Sequence, residues 1–447
     1  MTHVAILIPG IMGSVLECNG EVIWPGAVSE LLFPYSKMRE LTQENLVAID
    51  VIRSVSISEQ YDELIGDLET CGFREDGDPP TLVVCPYDWR KDNRLAAKQL
   101  ADLLDRTHAQ HNGKSEISLV AHSMGGLISR YYLESGEYIN RPAFRAIRQL
   151  ITLGTPHRGS PFALTAALGE EKRLWLNADQ VLQIVNDHRY PSVYQLLPPR
   201  GEPFAWDRES GANYDAIDIY DARVAKAMGL VEANLRSAET FHQSLDHQRR
   251  PPLVRYFTFV GTRQTMASYV LVRKVRERYQ VEKVESDDAG DGTVPTWSGA
   301  LTGLQGQPVG GEHGDIYKND DLRRTLAGLL GKQGVLAAHP QRVEVAIREK
   351  VCHPESTVHI ALTFSTGSNK LHGELRVQKA KVDSNGKLIE LLPPISHSIQ
   401  YAGLTAEKLG ISLTAPAAHG IYQIAFYPSG QQSPAGLDHL FVQKKDA

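Results

Sequence analysis

The sequence predicts an α/β protein built on a mainly parallel sheet, followed by a smaller all-β unit of the Ig-like sandwich type. Three observations carry that expectation. Short, continuously apolar runs alternate with amphipathic stretches through most of the first three quarters of the chain. One of those runs, Ile117 to Ala121, leads into a small-residue turn with Ser123 at its apex, then into Leu127, Ile128, Tyr131 and Tyr132 at helical spacing. After Gly334 the apolar runs give way to alternating, β-branched segments separated by turn residues.

The first strand, Val4 to Ile8, ends in Pro9-Gly10-Ile11-Met12-Gly13-Ser14. A glycine-rich turn there is either a plain strand exit or a set of free N–H groups aimed at a developing negative charge. Glu21 to Leu46 alternates poorly and is interrupted by Pro34, so it reads as a loop or short-helix excursion. Tyr61 to Leu68 reads as a helix, and Thr81 to Cys85 as a second buried strand delivering Pro86-Tyr87-Asp88-Trp89-Arg90. From Asp92 a helix carries Ala96, Leu100, Leu103 and Leu104 on one face and closes at Asn112-Gly113. Arg148 to Leu153 is the next strand and delivers Gly154-Thr155-Pro156-His157-Arg158-Gly159-Ser160.

Pro161 to Pro252 breaks the rhythm and reads as a cap inserted between sheet strands. Leu253 to Val260 resumes the sheet, and Tyr269 to Glu285 reads as an antiparallel pair. The tight acidic turn Gly290-Asp291-Gly292-Thr293-Val294-Pro295 follows, and the stretch Pro308 to His313 and a helix from Asp315 to Leu330 finish the α/β part. These readings divide the chain into residues 1–332, with insertions at about 20–60 and 161–252, and a sandwich over 335–447. The glycine-containing join suggests that the sandwich is separable from any catalytic unit before it.

Composition excludes some classes. The 447 residues carry 42% hydrophobic and 22% charged residues, the mixture of an ordinary globular protein. A net charge of -6 without a dense basic stretch argues against a nucleic-acid partner. Four cysteines (Cys18, Cys71, Cys85, Cys352) lack metal-ligand spacing and read as free thiols. No signal peptide precedes the first strand and no run approaches a membrane span, so the expectation is a cytoplasmic protein, peripheral to a membrane where it meets lipid.

Strand, sharp turn and helix around Ser123 make a nucleophile elbow, with Ala121 where the usual Gly-x-Ser-x-Gly pattern has its first glycine. A serine hydroxyl needs a base within hydrogen-bond reach, itself oriented by a carboxylate. In α/β-hydrolases these follow in the order Ser, Asp, His, each after a strand end. Asp291 and His313 lie in glycine-flanked loops in that order. Asp287 and Asp288 are rival acids that precede the tight turn. His157 is a rival base that comes before any acid candidate, and His122 adjoins the serine, where the elbow turns its ring away.

Together with Ala121-His122-Ser123-Met124-Gly125-Gly126 and Glu312-His313, the four glycine- and proline-containing loop blocks quoted above resemble the lecithin:cholesterol acyltransferase family, which includes lysosomal phospholipase A2 and phospholipid:diacylglycerol acyltransferases. The resemblance implies an α/β-hydrolase core with a cap and a mobile lid, and action on the acyl chains of glycerolipids. It implies Ser123 as nucleophile, Asp291 as orienting acid, His313 as base, and an oxyanion hole from the backbone N–H groups of Ile11 and Met124. No cofactor or metal is implied. The lid of relatives follows the oxyanion loop, which marks Trp24, Leu32 and Phe33 as a lid or membrane-docking edge. Expected partners are a phospholipid or other acyl lipid, a membrane surface, and a protein docking on the sandwich. Competing readings are a general carboxylesterase or amidase, a partner-activated membrane-damaging phospholipase, and a binding module that has lost its chemistry.

Overall fold

The computed structural model describes residues 1–26, 35–55, 58–59, 61–173, 175–210, 215–276, 278–331, 343–382 and 388–443. At its centre is a six-stranded sheet, all parallel, in the order Gly306–Gly310, Arg255–Thr262, Ile147–Leu153, Ser115–His122, Thr2–Ile8, Leu82–Val84. The continuous apolar runs have this outcome because helices cover both faces, leaving no polar side for alternate residues to reach. Ile117, Leu119, Val120 and Ala121 are all fully buried. Each large side chain among them contributes on the order of 1.5–3 kcal/mol of burial.

The order of strands fixes where a site can form. From Thr2–Ile8 the chain goes outward to Leu82–Val84, then returns to the other side and builds the remaining strands in sequence. The reversal leaves a crevice beyond the carboxyl ends of Thr2–Ile8 and Ser115–His122. Register sharpens this. Ile8 pairs with Ala121, His122 with Leu153, Leu153 with Phe259, and Thr262 with Gly310. The loops that begin at Pro9, Ser123, Gly154, Arg263 and Gly311 therefore leave the sheet along one edge.

The insertions also have defined forms. Ser14–Cys18, Glu21–Trp24 and Val47–Val51 make a small antiparallel sheet beside the first loop. The cap holds helices at Pro161–Ala167, Ala178–Val185, Ala222–Met228 and Glu232–Gln243. The antiparallel pair is longer than its apolar pattern suggested, running over Gln264–Val275 and Arg278–Gly290. None of the four cysteines forms a disulfide.

The Ig-like sandwich expected after Gly334 takes a different form. Its strands belong to one seven-stranded sheet curled around its own core, with Leu362, Phe364, Leu375, Ile424 and Phe426 inside. Thr357 to Phe364 and Leu371 to Val382 read as separate strands but are one, Thr357–Val382. The polar stretch between them is a site of register shifts against Ile395–Thr414, not a chain reversal. Irregularities of this kind bend a strand without ending it, which lets one sheet fold over itself. The curled sheet also packs on the rest of the molecule: Ala380, Ile421 and Phe441 join the main core cluster. The join at 332–342 lies outside the described residues.

Candidate active site

The elbow places Ser123 at φ 52°, ψ -123°, a left-handed conformation that a non-glycine residue adopts only under constraint. That constraint is close packing. A Cβ on Gly125 would lie 2.5 Å from the Pro9 carbonyl oxygen, and one on Gly126 would lie 2.0 Å from Thr155 Oγ1. These two glycines let three loops meet; the fully buried Ala121 sits where its methyl group is accommodated.

Ser123 Oγ lies 2.8 Å from His313 Nε2, and His313 Nδ1 lies 2.8 Å from Asp291 Oδ2. The other carboxylate oxygen of Asp291 accepts from the N–H groups of Thr293 at 3.0 Å and Val294 at 2.7 Å. The tight turn thus aims the acid as well as carrying it. With Nδ1–H donated to Asp291, Nε2 is the acceptor that faces the serine hydroxyl. Asp291 is buried and His313 only partly so. The rivals have other partners. Asp287 accepts from the Thr265 hydroxyl at 2.7 Å, and His157 is buried with Nε2 3.1 Å from Thr152 Oγ1.

Met124 follows the serine directly, and Ile11 follows Gly10 in the first loop. Met124 opens the helix Met124–Glu134, so its N–H has no intrahelical acceptor. Gly10 approaches so closely that a Cβ there would lie 2.9 Å from Ser123 Cβ. Tyr87 Oη donates to Pro9 O at 2.8 Å and Trp24 Nε1 to Met12 O at 2.9 Å, which holds the loop from below. Arg90, fully buried, binds Asp88 through two nitrogens and donates to the Gln43 carbonyl at 2.8 Å. The block Pro86 to Arg90 therefore supports the first loop and the nearby insertion.

A buried chain missed in the sequence runs beneath these residues. Gly10 N–H donates to Tyr61 Oη at 2.8 Å, and Tyr61 Oη is 2.8 Å from His122 Nδ1. His122 Nε2 is 2.9 Å from the His313 carbonyl oxygen. Proton counting fixes the direction. A carbonyl only accepts, so Nε2–H donates to it, Nδ1 accepts, and the Tyr61 hydroxyl donates. Burial, with the neighbouring His313, pushes the His122 pKa down to about 3, and burial raises that of Tyr61. His122 stays neutral and braces the first loop to the histidine loop. Its position before the serine was the available signal, but Tyr61 lay too far along the chain to be linked to it.

Trp24, expected at a lid or membrane-docking edge, is instead fully buried and packed edge-on against Trp89, Trp175 and Tyr35. Its indole N–H already has an acceptor and its rings already have aromatic partners, so burial costs it nothing. Leu32 and Phe33 lie outside the described residues. Ser123 and His313 open into a cavity of about 1360 Å³. Its lining includes the apolar Trp24, Phe162, Trp175 and Ile184 and the charged Arg263, Lys283, Arg348 and Glu407. Among the described residues, no helix is long and apolar enough to cross a membrane.

Residues 42–237 match the family model described as Lecithin:cholesterol acyltransferase. Over those residues, a little under half of the chain, the chain is similar to that family. Relatives fit the assignment. Lecithin-cholesterol acyltransferase-like 4 of Arabidopsis thaliana is 23% identical over 412 residues, covering 72% of this chain and 74% of that protein. Phospholipase A(1) LCAT3 of the same plant is 24% identical over 183 residues, covering 37% of this chain and 38% of that protein. Among solved structures, phospholipase PlaB from Legionella pneumophila in complex with thio-NAD aligns with 98% of this chain and 89% of its own. It does so at 10% identity and a TM-score of 0.29, a likeness too slight to support any inference. Within the matched residues lie the elbow and the Pro86 and Gly154 blocks; Asp291 and His313 fall beyond residue 237.

Proposed function

We propose that the chain is a serine-dependent acyl-ester hydrolase or acyltransferase acting on lipids, of phospholipase A type, through an acyl-Ser123 intermediate. One observation carries the reading: an unbroken Ser123–His313–Asp291 hydrogen-bond chain at the edge of a cavity lined by both apolar and charged side chains. That mixed lining suits a substrate with a long acyl chain and a polar head.

As Ser123 Oγ attacks the ester carbonyl, His313 Nε2 takes its proton, and Asp291 stabilises the imidazolium that results. The N–H groups of Ile11 and Met124 receive the oxyanion. Collapse of the tetrahedral intermediate breaks the ester C–O bond, and the leaving alcohol takes the proton from His313. Water or a second alcohol then attacks the acyl-enzyme with His313 again as base, giving hydrolysis or transfer. The reaction takes place where the protein meets a membrane surface.

The test is labelling by a fluorophosphonate probe together with mass spectrometry of species released from mixed phospholipids. Probe labelling and release of fatty acid or a new acyl ester, both lost in Ser123→Ala, are expected. Undiminished lipid turnover in Ser123→Ala overturns the mechanism. Activity confined to short soluble esters replaces it with a general carboxylesterase.

A further inference from the structure

The loop bearing His313 is poorly equipped to hold itself. Gly310, Gly311 and Gly314 surround the histidine, and Gly311 has a φ of +143°. Glycine-rich loops of this kind have much conformational freedom to lose. From the core side the loop is held by His313 N–H donating to Asp291 O at 2.8 Å, and by His122 donating to His313 O. From the other side it is held by the curled C-terminal sheet, through the residue just before the histidine.

Glu312 is gripped there at two points. Its backbone N–H donates to Glu344 Oε1 at 3.3 Å, and its carboxylate lies 3.1 Å from Lys350 Nζ. Lys350 Nζ is also 3.3 Å from Asp438 Oδ1. Asp438 is itself fixed by the N–H groups of Ile347 at 2.9 Å and His439 at 2.8 Å. Farther along the same seam, Arg263 pairs with Glu407 at 3.0 Å, and Lys408 donates to the Arg263 carbonyl at 2.7 Å.

We infer that Lys350 is a positioning residue for the reaction, holding His313 in line with Ser123 by clamping Glu312 to the C-terminal sheet. The clamp rests on the reading of Ser123 and His313 given above. Its charge pattern is what a positioning device requires and what a simple adhesive does not. Glu312, Glu344 and Asp438 crowd around the Lys350 ammonium group, and Asp315, paired with Lys318 at 3.0 Å, adds to the negative field. Burial raises the pKa values of Glu312 and Asp438, and each is pulled back by Lys350. Burial opposes the charge on Lys350, yet Asp438 and Glu312 more than offset it. A partly buried ion cluster adds little stability over apolar packing, but removing Lys350 leaves Glu312, Glu344 and Asp438 repelling one another. The repulsion would act directly on the residue bonded to His313.

The experiment uses the full chain, a fluorophosphonate probe and a short soluble ester. Lys350→Met is expected to slow labelling and kcat by about ten- to a hundredfold, the scale on which small misplacements of a catalytic group act. KM should change little. Lys350→Arg, which keeps charge and reach, should restore most of the rate, and Glu312→Gln should show a milder loss in kcat. Labelling of Lys350→Met at the normal rate overturns the inference. So does a loss that follows unfolding and is not rescued by Lys350→Arg. A folded parent chain that the probe does not label overturns the reading of Ser123, and the clamp falls with it.

Discussion

Ser123 and His313 stand 2.8 Å apart, yet they are held in opposite ways. The serine belongs to one contiguous segment, a buried strand running into a buried helix, and its turn is fixed by backbone contacts that Gly125 and Gly126 permit. The histidine sits in a glycine-rich loop and is fixed by groups from elsewhere: Asp291, His122, and through Glu312 the C-terminal sheet. One half of the site is made by local folding, the other by assembly of distant parts. Perturbations far from the cavity should therefore reach the base before they reach the nucleophile.

The largest effect tests whether the two halves act as one. His313→Ala should reduce turnover by several orders of magnitude, and the double variant with Ser123→Ala should be hardly worse than either alone. Steady-state kinetics on a short ester checks this. Multiplicative losses in the double variant would separate the two residues.

Next comes removal of the outside support. A chain ending at Gly334 loses Glu344, Lys350 and Asp438, and it uncovers the core surface on which Ala380, Ile421 and Phe441 pack. Expected are a lower Tm and labelling slowed by at least about tenfold. Labelling at the full rate would return the C-terminal sheet to the status of a separable unit. Within the core side, Tyr61→Phe removes the hydroxyl that accepts from Gly10 and donates to His122. Leaving two buried polar groups unpaired costs about 1–3 kcal/mol each. Labelling should slow about tenfold, because Gly10 precedes Ile11, whose N–H group is proposed to receive the oxyanion.

This contrast also explains what could be read from the amino acids. Ser123 was legible because an elbow is a local pattern of small residues between an apolar run and a helix. Asp291 and His313 were legible because chain order and glycine-flanked turns restrict the choice, and the structure joins them to Ser123. Lys350 and Asp438 were not, since a lysine in a turn and an aspartate on an alternating β segment look like ordinary solvated residues. Only the folding of one sheet over another part of the chain brings them to Glu312. Trp24 failed for the same reason: an aromatic residue in an insertion looks exposed until Trp89 and Trp175 arrive from elsewhere. The long strand Thr357–Val382 failed because a polar irregularity and a turn have similar composition.

The smallest effect separates the two halves by the sign of their response to pH. His122, on the nucleophile side, has a folded pKa of about 3 against an ordinary value of 6.5. The unfolded chain therefore binds the extra proton between those values. The stability His122 contributes is fully present above pH 6.5 and is lost as pH falls, at about 1.4 kcal/mol per pH unit. Buried His242, with a folded value of about 4, acts in the same direction. Glu312, on the base side, is raised by burial from 4.5 to about 7. Here the folded state holds the extra proton, so its contribution is fully present below pH 4.5 and is lost as pH rises through 7. Between pH 4.5 and 6.5 the two terms oppose each other, and measured stability should vary less than His122 and His242 alone would require. Glu312→Gln should remove the opposing term and steepen the acid-side fall, whereas His122→Asn should make it shallower. Urea unfolding at half-unit steps from pH 4.5 to 7 measures both slopes. Parallel shifts of the two variants in the same direction would contradict the opposite protonation behaviour assigned to the two sides of the site.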